Sequence, residues 1–186
     1  MTALEAALLA IAGQLESARI PYAVIGGIAN AVWGEPRATL DIDVSVWVEE
    51  DVIATVLRHL AGRFTVLAAA PADFIRETRV LPLETGSGVR IDVIFGMLPF
   101  EQAAIHRSVW RTMAGKRIRV CTAEDLILYK IVSDRDRDQR DARGIVRRRG
   151  SDLDRAYLDP RVQDLSVALD RPEIWSSYQG WLQEPG

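Results

Sequence analysis

The chain has 186 residues, of which 48% are hydrophobic and 26% are charged, the composition of an ordinary globular protein with its own core. The net charge of −3 gives no general attraction to nucleic acid, so any such contact would need a local basic patch. The single cysteine, Cys121, excludes an internal disulfide and a zinc cluster built from thiolates. The N-terminal segment lacks a basic region, and no apolar run reaches about 18 residues, so we predict neither a signal peptide nor a membrane span and expect a cytoplasmic location.

Helices alternate with strands in the pattern predicted for the first two thirds of the chain. Leucine and isoleucine at spacings of three and four predict an amphipathic helix over residues 2–18, which Pro21 ends. A strand over 22–25 then leads into a helix over 27–33, and a second strand lies within 40–48. The further elements predicted from the same periodicities are a helix ending near Gly62, a short strand over 64–67, a brief helix over 71–77, a hairpin of 79–84 with 89–95, a helix over 99–107 and a last edge strand over 117–120.

The composition changes abruptly after a predicted helix that carries Lys130. The segment from residue 134 onward begins with a long run of charged residues, and we interpret the change as a boundary between a core domain, 1–133, and a C-terminal extension, 134–186. Apolar periodicity in the extension predicts a small helical cap. We expect Pro160 and Pro172 to divide it into short pieces.

Carboxylates stand on two of the predicted strands. Asp41 and Asp43 leave the same face of their strand, and two like charges side by side cost free energy unless a cation lies between them. Ligands that are all oxygen atoms favour a hard ion such as Mg²⁺. A third carboxylate, Asp92, is embedded in the apolar segment RIDVIFG, where an unpaired charge is expensive. The D-x-D pair alone fits an exposed strand face equally well, but the three carboxylates together predict a metal centre.

A glycine pair, Gly26 and Gly27, lies between the first strand and the following helix. Two glycines allow a phosphate to approach the backbone closely, where the free amides and the positive end of the helix dipole can receive it. The pair by itself is weak evidence for a phosphate site, and it gains weight from the carboxylates that follow.

Together these motifs resemble the nucleotidyltransferase superfamily of the DNA polymerase β type. The shared pattern is GG at 26–27, DID at 41–43 and the Asp of RID at 90–92, and the resemblance covers roughly residues 20–145. The segments RATLDID and AEDLILYKIVSDRDRDQRD are similar, in particular, to the AbiEii-type toxin branch. The resemblance implies an α/β (α+β) nucleotidyltransferase fold, with a mixed, mostly antiparallel sheet flanked by helices and a short C-terminal helical extension.

The resemblance also implies residue roles and cofactors. Asp41, Asp43 and Asp92 would be the catalytic residues and would hold two Mg²⁺ ions, with an NTP such as ATP as the donor. The residues expected to bind the nucleotide are Gly26, Gly27, Arg37 and Lys130. Many members of the superfamily carry a serine at the position of Gly27. The contact of that serine hydroxyl with phosphate is therefore missing here.

The sequence leaves the acceptor open. The AbiEii-type likeness implies RNA, such as a tRNA end, and a toxin with an antitoxin partner protein. The alternatives are a small acceptor, such as an aminoglycoside or lincosamide antibiotic, and a nucleotide- or partner-binding module without turnover. Two interpretations of Lys130 are equally good. It binds phosphate, or its side chain extends from a buried helix face to the solvent. For Asp138 and Asp141 a structural ion-pair network is a better explanation than catalysis.

Overall fold

Seven strands form one mixed sheet in the computed structural model, which describes residues 1–184. The strands are β1 Tyr22–Val24, β2 Asp41–Val46, β3 Thr65–Val66, β4 Val80–Glu84, β5 Arg90–Phe95, β6 Val109–Met113 and β7 Lys116–Val120. Their order is β3-β4-β5-β2-β1-β7-β6. The pairs β1–β7 and β2–β5 are parallel, and the remaining pairs are antiparallel. The predicted mixed, mostly antiparallel sheet is therefore confirmed.

Nine α-helices lie within the described residues. They are α1 Ala3–Ser17, α2 Gly26–Trp33, α3 Ile53–Ala61, α4 Pro71–Thr78, α5 Pro99–Arg107, α6 Ala123–Ile131, α7 Asp136–Arg149, α8 Arg155–Ala168 and α9 Pro172–Leu182. The helices predicted from apolar periodicity are all present, with ends close to those expected.

Strands β2 and β5 have one buried and one more polar face. The side chains of Ile42 and Val44 on β2, and of Ile91 and Val93 on β5, are fully buried. Burying each such side chain contributes about 1.5–3 kcal/mol. A slip of one residue would turn the carboxylates of both strands into the core, so this burial fixes the face on which they lie.

Strand β6 was not predicted, and its presence corrects the position of β7. The predicted strand over 117–120 was expected at the sheet edge, but β7 lies between β1 and β6. The hairpin that joins β6 to β7 turns at Ala114 and Gly115, whose φ angles are 48° and 78°. Two consecutive positive φ values match the twist of antiparallel strands, so the turn extends the sheet by one strand.

The prediction that Pro160 divides the C-terminal extension is wrong. Helix α8 runs through Pro160, although a proline inside a helix removes one hydrogen bond and costs about 3 kcal/mol. Leu158 and Val162, on either side of the proline, are fully buried, and burial at about 1.5–3 kcal/mol each offsets that cost. Pro172 does separate two helices, since it opens α9 at the first position.

The chain forms two compact units. The first comprises Met1–Ile28 and Ala38–Cys121, and it contains the whole sheet. The second comprises Ala29–Arg37 and Thr122–Gly186. The boundary expected between residues 133 and 134 stays a prediction of domain organisation. In the described part of the chain, the helices are all too short or too polar to cross a membrane.

Candidate active site

Asp43 and Asp92 are cross-strand neighbours. Strands β2 and β5 pair in parallel with Asp43 opposite Asp92 and with Asp41 opposite Arg90. Neighbouring strands lie about 4.8 Å apart, and directly paired residues project from the same face. Asp41 and Asp43 share that face because they are two positions apart. The register therefore brings all three predicted carboxylates to one patch of the sheet.

The glycine pair lies against the same patch. The amide of Ile25 donates to the carbonyl oxygen of Asp43 at 2.9 Å, which joins the end of β1 to β2. Gly26 then adopts φ 61°, in the left-handed region, and a Cβ at this position would overlap the Asp43 carboxylate. Only glycine meets both demands. Helix α2 begins here, so amides without intrahelical acceptors lie next to the acidic side chains.

Arg90 makes a contact at this patch that sequence reasoning missed. Its Nε donates to Oδ1 of Asp92 at 3.1 Å, and its side chain is 57% exposed against 21% for Asp92. The signal was available in part, because positions 90 and 92 of one strand share a face. Within residues 1–184, no three His, Cys, Asp or Glu side chains lie close enough to hold a metal ion as they stand. The positive charge next to Asp92 is that of Arg90, and the role of the carboxylates as metal ligands stays a prediction.

The two cations predicted to bind phosphate meet at a carboxylate within the second unit. Arg37 makes a two-point contact with Asp141, at 3.1 Å from Nε to Oδ1 and 2.9 Å from Nη2 to Oδ2. The ammonium of Lys130 lies 2.8 Å from Oδ2 of Asp141 and 2.6 Å from Oδ1 of Asp138. Lys130 is only 5% exposed, so the interpretation as a surface-reaching side chain is wrong. Its predicted contact with a nucleotide, like that of Arg37, stays a prediction.

Both carboxylates of this cluster are held in the charged form. Burial by itself would raise the pKa of Asp138, but the hydrogen bond and charge of Lys130 outweigh it and lower the pKa. Burial likewise opposes ionisation of Asp141, and the hydrogen bonds from Arg37 and Lys130 lower its pKa. The prediction that Asp138 and Asp141 belong to a structural ion-pair network is confirmed by these contacts.

The fold is similar to that of solved nucleotidyltransferase structures. One is an antigenic nucleotidyltransferase-like protein from Paracoccidioides brasiliensis, 19% identical, with a TM-score of 0.51 over 95% of this chain and 92% of that one. Another is the antibiotic-resistance factor ANT(2'')-Ia in solution, 14% identical, with a TM-score of 0.56 over 95% of this chain and 96% of the other. At these identities the likeness concerns the fold alone.

Comparison of the sequence with known protein families identifies a family. No curated protein matches the chain. The sequence model of the family described as nucleotidyl transferase of unknown function (DUF2204) matches residues 4–174, and the chain therefore belongs to this nucleotidyltransferase family.

Proposed function

We propose that the protein transfers a nucleoside monophosphate from an NTP to a hydroxyl group, with Mg²⁺ held by Asp41, Asp43 and Asp92. The observation that carries the proposal is the direct pairing of Asp43 with Asp92 beside the Gly26 turn. Like charges in adjacent strand positions repel, which favours a site that a cation completes. Family membership supports the reaction class.

The residues present fit divalent ions, because the patch offers carboxylate oxygens, which are the ligands that Mg²⁺ prefers. Asp41 and Asp43 would hold one ion, and both together with Asp92 a second. Ions held there would supply positive charge to the attacking and leaving oxygens of the transfer.

The chain's own groups then have distinct tasks. The amides at Gly26 and Gly27 receive phosphate oxygens, and Asp92 accepts the proton of the acceptor hydroxyl. The acceptor oxygen forms its bond to the α-phosphorus as the bond to the β-phosphate oxygen breaks, so pyrophosphate leaves. The nucleotide-binding roles of Arg37 and Lys130 rest on the family resemblance alone.

For the acceptor, we propose a small polar molecule. The net charge of −3 disfavours an RNA acceptor, which brings many phosphates to neutralise. The similarity to an antibiotic-resistance factor supports the same choice. The rival is an RNA acceptor in a toxin of the AbiEii type, which rests on the resemblance of RATLDID and its neighbouring segments.

A pyrophosphate-release assay tests the proposal. The wild-type protein is supplied with Mg²⁺, each of the four NTPs in turn, and either aminoglycosides and lincosamides or total RNA. We expect release with a small acceptor and its loss in Asp43→Asn, whereas Asp73→Asn, on an exposed surface ion pair, remains active. If pyrophosphate is released only with RNA, the small acceptor is rejected and the interpretation as an RNA-modifying toxin takes its place. Nucleotide binding without release under any condition contradicts an enzyme and leaves a binding module.

A further inference from the structure

Thr39 makes a strong hydrogen bond to a predicted metal ligand. Its hydroxyl donates to Oδ1 of Asp41 at 2.7 Å and lies 3.3 Å from the carbonyl oxygen of the same residue. A hydroxyl has one proton, and the shorter contact to a charged carboxylate takes it. The carboxylate of Asp41 is thereby held in one rotation about its side chain.

The same hydroxyl fills the space beside Gly27. A Cβ built on Gly27 would lie 2.5 Å from Thr39 Oγ1 and 2.8 Å from Thr39 Cβ, both closer than real Cβ atoms approach other atoms. Gly27, unlike Gly26, does not have a positive φ, so space and not backbone conformation requires glycine here. The residues at 27 and 39 are therefore matched, with one supplying the room that the other occupies.

At this point β2 is paired on one side only, since Asp41 lies opposite Arg90 of β5. Strand β1 pairs only with Val44, Ser45 and Val46, so Asp41 extends beyond it. Among the residues that the structure describes, Thr39 alone donates a hydrogen bond to the side chain of Asp41. Because the donated proton engages Oδ1, the second oxygen, Oδ2, is left to bind a cation.

We propose that Thr39 is a positioning residue for the Asp41 carboxylate, and that its hydroxyl takes the place of a side chain at position 27 at the start of α2. The inference rests on the proposed function, since it assigns a task within the same metal site. Thr39 need not touch the substrate. It fixes the angle at which Asp41 presents its free oxygen.

Mn²⁺ binding, followed by electron paramagnetic resonance, tests this role without relying on turnover. Outer contacts that orient a ligand typically contribute about 10–100-fold to metal affinity. We expect Thr39→Val, which keeps the shape but lacks the hydroxyl, to bind Mn²⁺ about tenfold more weakly than the wild type. Thr39→Ser restores the hydroxyl and should bind within about twofold of wild type. Thermal unfolding of each apo variant verifies that it folds.

The two proposals fail in different ways. Wild-type protein that binds Mn²⁺, with equal affinity in Thr39→Val, overturns the role of Thr39 and leaves the proposed function intact. Wild-type protein that binds no Mn²⁺ overturns both.

A reciprocal exchange tests the matching of positions 27 and 39. Gly27→Ser alone should weaken Mn²⁺ binding, because the new side chain collides with Thr39. Thr39→Ala alone should weaken it by loss of the hydroxyl. In Gly27→Ser combined with Thr39→Ala, the serine hydroxyl enters the vacated space, so we expect tighter binding than in either single variant. If the loss of Mn²⁺ affinity in the double variant equals the sum of the losses in the two single variants, the changes are independent. That result overturns the proposal that the hydroxyls at positions 27 and 39 can replace each other.

Discussion

Asp43 and Asp92 lie opposite each other in the parallel pairing of β2 with β5, on the face of the sheet that the buried isoleucine and valine side chains leave to polar groups. The first two ligands of the proposed metal site thus come from one strand and the third from its neighbour. Backbone pairing holds the distance between the strands, so the side chains need only small adjustments to share an ion.

Asp43→Asn should separate folding from metal binding. The change removes one of two adjacent like charges, so the free energy of unfolding without metal should stay within about 1 kcal/mol of wild type. Saturating Mg²⁺ at about 100 times its dissociation constant should stabilise the wild type by about 2.7 kcal/mol, and this gain should disappear in the variant. Urea denaturation with and without Mg²⁺ measures both quantities. An equal Mg²⁺ effect in the two proteins would exclude Asp43 as a ligand.

Arg90→Gln should tighten metal binding. The guanidinium competes with an incoming cation for Asp92, and its removal takes a positive charge away from the patch. Because Arg90 is largely exposed, the solvent screens the effect, and we expect about threefold tighter Mn²⁺ binding at low ionic strength and a smaller change at high salt. Calorimetric titration measures the affinity, with Arg76→Gln as the matched surface control. Weaker binding in Arg90→Gln would mean that the arginine supports the cation site instead of competing with it.

Much of this patch could be predicted from the sequence because its pattern is local. Alternation along β2 places Asp41 and Asp43 on one face, and the glycine pair marks the turn. The adjacency of Asp43 and Asp92 depends on which strands pair and in what register, and residues so far apart in sequence give no local signal for that. The contact of Arg90 with Asp92 was within reach, since one intervening residue on a strand suffices to place them on one face.

The second unit shows why isolated charges are harder to interpret. The family resemblance assigned Arg37 and Lys130 to phosphate binding, and their carboxylate partners could not be identified from spacing. Arg37 contacts Asp141, 104 residues away, in a pairing that the tertiary structure alone creates. Strand β6 escaped prediction for a related reason. Its polar residues interrupt the apolar alternation that marks a strand, and its pairing with β7 is a tertiary contact.

Asp141→Asn should strongly destabilise the fold at neutral pH. The carboxylate is buried and serves both Arg37 and Lys130, and removing one partner of a buried ion pair costs about 3–5 kcal/mol. Urea denaturation near pH 7 measures the loss. Asp73→Asn breaks an exposed ion pair and should change the free energy of unfolding by less than about 1 kcal/mol. Equal effects of the two substitutions would contradict a structural role for the buried network.

The same network should make stability depend on acid pH. The pKa values of Asp138 and Asp141 are lowered in the folded protein, so the unfolded chain binds protons more readily than the folded one. Their contribution to stability is therefore complete above the unfolded pKa of about 3.9 and is lost as the pH falls below it through the folded values. Denaturation from about pH 6 down to pH 3 should show a smaller decline in Asp141→Asn than in wild type. A parallel decline in both proteins would assign the acid sensitivity to other groups.

Gly26→Ala should damage the site far more than an ordinary glycine substitution. At Gly26 the added methyl group meets the Asp43 carboxylate, and the φ of 61° disfavours any residue with a Cβ. We expect a loss of at least about 2 kcal/mol in the free energy of unfolding, because steric overlap adds to a left-handed strain of about 1–2 kcal/mol. The displaced Asp43 should also lower Mn²⁺ affinity. Gly13→Ala is the matched control, since it lies inside α1 with nothing within 4 Å of the new methyl group and should stabilise the protein by about 0.5–1 kcal/mol. Equal and small effects at both positions would contradict the close approach of the glycine turn to Asp43, on which the geometry of the proposed site depends.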